Sequence, residues 1–254
     1  MEHILLEACV DGVDSALAAA RGGANRMELC GNLIIGGTTP SPLLYKEIRK
    51  YTDIPIHILI RPRFGDFCYS DYEYSIMKEE VKMFCELGAD GIVIGVLLPD
   101  GTLDMERMGE LIALSGGMSV TLSRAFDVCR DPYEALDRAK ELEIHTILTS
   151  GQAEHCLKGK RLIRDLVQRS EGKIDILVGG GVDAGAIQEL YPATLATSYH
   201  MSGKVVKDSR MVFRKEGVNM GLPFMSEYEI WQTDGDKIRL AKEVLGNLSG
   251  KMRK

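Results

Sequence analysis

Two arginines, Arg61 and Arg63, follow the short apolar run that begins at Ile54 and passes into the stretch HILIRPRFGDFCYSD, His57–Asp71. With a side-chain period of 2, a strand over Ile54–Arg61 points both guanidiniums to one face. Pro62 cannot donate to a ladder, and Gly65 permits a sharp exit. Guanidiniums leaving a buried strand need anions, either core carboxylates or an anionic ligand held by charge-assisted hydrogen bonds. Glu7 and Glu28 each lie inside an apolar run, where a charge is costly unless paired. Glu7, Glu28, Arg61 and Arg63 are therefore expected to share one polar pocket, as a structural ion-pair network or as the lining of a site.

Cysteines accompany the acids. Cys9 shares strand parity with Glu7, and Cys30 with Glu28. Two inward thiols on neighbouring strands, about 4.8 Å apart, would suit Cu(I), a soft ion. The plainer alternative is that both behave as small hydrophobes. Cys68, Cys85, Cys129 and Cys156 show no compact ligand spacing. Gly179, Gly180 and Gly181 precede a short helix, an arrangement whose backbone N–H groups can cradle phosphate. His200, Asp127, Glu7 and Glu28 are the candidates for proton transfer, although a histidine ending a strand also serves as a satisfied core residue. Arg124 and Ser150 end the fifth and sixth strands beside them.

Eight strands must position these groups. Apolar runs give strands near Ile4–Cys9, Arg26–Cys30, Ile54–Arg61, Gly91–Leu97, Met118–Leu122, Thr146–Thr149, Ile174–Val178 and Thr194–His200. Helices alternate with them, opened by signals such as Ser41-Pro42 and Asp131-Pro132. The alternation demands a parallel sheet. Eight units in about 250 residues match a (β/α)8 TIM barrel, whose chemistry sits at the C-terminal strand ends. The whole chain, 1–254, is read as one such domain. Residues 203–233 read as an irregular insertion before the last helix, too long for an ordinary loop, and serve as a cover or an oligomer contact.

Composition bounds the function. The chain has 254 residues, 45% hydrophobic and 27% charged, as in an ordinary globular protein. A net charge of −6 supplies no basic field for nucleic acid or anionic lipid. No apolar run reaches a membrane span, and the first residues lack a basic signal-peptide start. Six cysteines without a CxxC pair fit a reducing cytoplasm. A small anionic ligand and assembly as a homodimer complete these expectations.

GANRMELC (Gly23–Cys30), GGTTPS (Gly36–Ser41), IRPRFGDFCYSD (Ile60–Asp71) and GADGIVIGVLLPDGTLD (Gly88–Asp104) resemble the CutC copper homeostasis family. RAFD (Arg124–Asp127), ILTSGQ (Ile147–Gln152) and the turn at Asp234–Asp236 continue the likeness in order along nearly the whole chain. The resemblance implies a TIM barrel and a cytoplasmic protein linked to copper tolerance or Cu(I) binding, with Cys9, Cys30, Cys68 and Cys129 where the family often carries cysteine. Two positions depart from it. The family reads Thr-Phe-His-Arg where this chain has Thr121-Leu122-Ser123-Arg124, and GGGVDAGA lacks the asparagine that usually follows the seventh-strand turn. The polar strand ends also fit a second reading, an enzyme acting on a small anionic or phosphorylated metabolite.

Overall fold

A computed structural model describes residues 4–218, 220–222 and 225–251. Eight parallel strands close into a barrel in sequence order. They are β1 (Leu5–Val10), β2 (Arg26–Leu29), β3 (Ile56–Leu59), β4 (Gly91–Ile94), β5 (Ser119–Leu122), β6 (Thr146–Thr149), β7 (Asp175–Val178) and β8 (Ser198–Met201). The helices between them are α1 (Val13–Arg21), α2 (Pro42–Arg49), α3 (Asp71–Glu86), α4 (Met105–Leu114), α5 (Pro132–Glu141), α6 (Lys160–Ser170) and α7 (Ala184–Thr194). The expected (β/α)8 architecture is the one observed. Side chains at the helix starts satisfy otherwise orphaned amides. Ser41 accepts from Leu43, Asp131 from Tyr133 and Glu134, and Ser70 forms a capping box with Glu73.

Strand alternation divides the core in two. Leu6, Ala8 and Val10 of β1, and Met27 and Leu29 of β2, join the large apolar layer under the helices. Residues of opposite parity face the barrel axis. There Cys9, Cys30, Leu59 and Val93 form one small apolar cluster, and Leu5, Leu148 and Leu177 another. Polar groups of the same parity, Glu7, Glu28, His57 and Thr121, are buried beside them. A polar belt inside a barrel needs internal partners, and it supplies the site.

Several boundaries differ from the sequence reading. β3 is shorter than Ile54–Arg61: its ladder ends where Ile60 N–H meets the Val93 carbonyl, and Arg61 N–H turns to Thr39 Oγ1. β8 begins at Ser198 because α7 runs through Thr194, whose hydroxyl donates to the Leu190 carbonyl, and Leu195 then adopts φ 60°. The stretch 203–233, read as irregular, carries a strand at each end. There β9 (Lys204–Asp208) pairs antiparallel with β10 (Glu229–Thr233), and α8 (Gly235–Lys251) follows. Thr233 N–H donates to Ser15 Oγ on α1, tying the hairpin to the barrel.

Candidate functional site

Barrel closure sets the first three residues of the site. β1 lies between β2 and β8, with Glu7 in register with both Arg26 and His200, and Cys9 in register with Glu28. The fully buried Glu7 accepts from Arg26 Nε and pairs with His200 Nδ1 at 2.7 Å. Burial alone would raise its pKa, but the Arg26 guanidinium and the His200 hydrogen bond hold the carboxyl down at about 2. Burial opposes the charge on His200, yet the Glu28 and Glu7 carboxylates raise its pKa above the ordinary histidine value. The pair is thus an ionised carboxylate against an imidazolium, whose Nε2–H is the ring group not engaged by Glu7.

Glu28 behaves oppositely. Burial pushes its pKa up, and the neighbouring Glu7 charge adds to the effect while His200 works against it. Its Oε1 accepts from Cys9 Sγ at 3.4 Å, and its buried Oε2 has no partner among the described residues. Cys9 Sγ also lies 3.8 Å from Cys30 Sγ. Their hydrogen bond and burial push the Cys9 thiol well above its ordinary pKa. Glu28 is therefore the group best placed to take or give a proton, and Cys9 stays a thiol until something stronger competes for its sulfur. One donor atom from each of Cys9, Glu28 and His200 lies within 4.8 Å of the others.

These groups floor a cavity of about 510 Å³ at the C-terminal strand ends. Arg61 forms part of its wall and is 9% exposed. Its Nη1 donates to the Gly36 and Gly37 carbonyls, each at 3.1 Å, and its Nη2 to Gly65 at 2.6 Å. The Phe67 ring lies 4.8 Å from the guanidinium carbon. Among the described residues Arg61 has no carboxylate partner, and its Nε has no acceptor. The opposite wall carries Arg124, which donates to Asp127 at 2.7 Å and to Ser150 Oγ at 2.9 Å. Asp127 also accepts from Thr149 Oγ1 and from the amides of Ser150 and Gln152. Saturated in this way, it is an anchor for the β5 and β6 loops rather than a free base. Gly180 and Gly181 line the same wall with φ near 80°, whereas Gly179 N–H is tied to the Thr149 carbonyl.

Two sequence expectations are corrected. Arg63 does not share the pocket. It pairs with Glu73 at 2.6 Å and Asp66 at 2.9 Å and crosses the Tyr69 ring, away from the cavity wall. The reason is that β3 ends before Arg61, so strand parity no longer governs Arg63. Nor does Arg61 neutralise Glu7 or Glu28: Arg26, unassigned in the sequence reading, does so for Glu7. The available signal was its parity, two residues before Glu28 and four before Cys30. Ser123, at the position of the absent family histidine, caps the turn Arg124–Val128 by accepting from Ala125 N–H.

The CutC family profile matches residues 4–205. The chain is 42% identical over 246 residues to a copper homeostasis protein cutC homolog of Mus musculus, covering 95% of this chain and 90% of the other. It is 40% identical over 245 residues to the homolog of Homo sapiens, covering 96% and 90%. A solved CutC structure from Streptococcus agalactiae superposes with a TM-score of 0.75 at 32% identity, covering 79% of this chain and 99% of that one.

Proposed function

Because the chain belongs to the CutC family, we propose that it serves copper homeostasis by holding Cu(I) in the barrel mouth, in the cytoplasm. The observation that carries this reading is the convergence of Cys9, Glu28 and His200 donors within 4.8 Å, with Cys30 Sγ directly behind Cys9. Thiols are the soft ligands Cu(I) selects, and an imidazole completes a mixed set. Glu7 holds His200 Nδ1, the carboxylate support that metal-bound histidines ordinarily use. The unpartnered Oε2 of Glu28 marks a polar position that a ligand would satisfy.

Binding must displace the Cys9 thiol proton and the Nε2 proton of the His200 imidazolium, since both groups have raised pKa values. Glu28, already hydrogen-bonded to that sulfur, is the nearest acceptor. Affinity should be modest at neutral pH and rise as pH is raised. An anaerobic competition titration against a Cu(I) chelator tests this. Wild type should compete, and the double variant Cys9→Ser with Cys30→Ser should lose at least about tenfold in affinity. Equal competition by both proteins would remove the thiol site.

A further inference from the structure

We propose that the cavity above the metal-ligating cluster is a binding site for a small anionic organic molecule, a phosphate monoester or carboxylate, anchored on Arg61. Three observations carry it. A 510 Å³ cavity lies in the range occupied by small organic ligands and far exceeds one ion. Arg61 is more than nine-tenths buried in its wall, and among the described residues it is held by backbone carbonyls, the Tyr69 hydroxyl and the Phe67 ring, with no carboxylate to balance its charge. A buried guanidinium without an anion is costly, and one lining a cavity is balanced when an oxyanion enters. Arg124 on the opposite wall shows the contrast, being neutralised by Asp127. Finally, the N–H groups of Gly180 and Gly181 meet no protein acceptor among the described residues. Both glycines have positive φ, and an added Cβ would come within 2.8 Å of Ser150 at Gly180 and 2.3 Å of His155 at Gly181. Ser150 and His155 thus hold the turn to glycine, and its two amides, on residues that line the cavity, are open to an oxyanion.

The rest of the ligand would lie against Glu28 and His200, so polar groups are expected beyond the anionic end. The inference needs no metal, and its test uses the metal-free full chain. Melting temperature is measured against inorganic phosphate, glycerol phosphate and malonate, with sodium chloride at matched ionic strength as control. Wild type should be stabilised with a saturating dependence by at least one of the three but not by chloride. The phosphates against malonate then identify the anionic group. Arg61→Met should weaken that binding at least about tenfold, and Arg61→Lys should restore it only in part because the fork is lost. Where a variant fails to fold, a phosphate soak of wild-type crystals grown without phosphate or sulfate decides. Density against Arg61 or the Gly180–Gly181 amides supports the site. Absence of stabilisation in wild type, an undiminished effect in Arg61→Met, or density at surface lysines alone would overturn it. Cu(I) competition by wild type is independent of all these outcomes, so failure here leaves the copper reading standing.

Discussion

Glu7 and Glu28 are both buried carboxylates on adjacent strands, yet their environments hold them in opposite states. Glu7 sits between two cations, whereas Glu28 faces a thiol and an imidazolium and keeps one oxygen without a partner. Glu7→Gln should cost about 3–5 kcal/mol, because it strands the Arg26 charge inside the barrel. Glu28→Gln should stay within about 1 kcal/mol, since a neutral amide replaces a group that burial already drives toward neutrality. Urea midpoints compare the two, and a larger loss at Glu28 would reverse the assignment. Interior His57 provides a pH test. Burial, with the Arg26 charge, pushes its pKa down to about 4. The unfolded chain takes up that proton near pH 6.5. The His57 contribution to stability should therefore be fully present above about pH 6.5 and fall by about 3 kcal/mol as pH drops to 4. Glu7 adds a further loss between about 4.5 and 2. His57→Gln should flatten the limb from 6.5 to 4; an unchanged curve would show that His57 does not cause it.

Among the elements, the strands were legible only as far as their ladders run. Glu7, Cys9, Glu28 and Cys30 could be placed inward because β1 and β2 are buried on both faces, and alternation then leaves one choice of face. Arg63 could not, because the chain leaves the ladder at Arg61 and loop dihedrals replace parity. The β9–β10 hairpin was invisible for another reason: most of its side chains are exposed, so no apolar alternation marks it. Buried Ile238, Ala241 and Leu245 and the Thr233–Ser15 hydrogen bond fix α8 and this hairpin to the barrel, and close backbone approach tightens the seam. An added Cβ at Gly235 would lie 2.8 Å from the Ala18 carbonyl oxygen, and one at Gly22 would lie 2.6 Å from that of Gly235. Gly235→Ala should destabilise by about 1–3 kcal/mol through this overpacking. A melting temperature equal to wild type would mean that the α1–α8 seam can yield.

For the molecule as a whole, the barrel was readable because eight strand–helix units leave few alternatives, and closure itself assembles the site. Only the β8–β1 pairing brings His200 to Glu7 across 193 residues of chain, so no local motif announces the pair. No helix among the described residues is long and apolar enough to cross a membrane. The mouth thus combines a soft donor cluster on its floor with a charged wall, and Cu(I) is proposed to sit on the floor. X-ray absorption on the Cu(I)-loaded protein tests it most directly. The bound Cu(I) should show a coordination shell dominated by sulfur with imidazole scattering, the sulfur lost in Cys9→Ser with Cys30→Ser and the imidazole lost in His200→Gln. A shell of oxygen and nitrogen alone, or one unchanged by these substitutions, would contradict it.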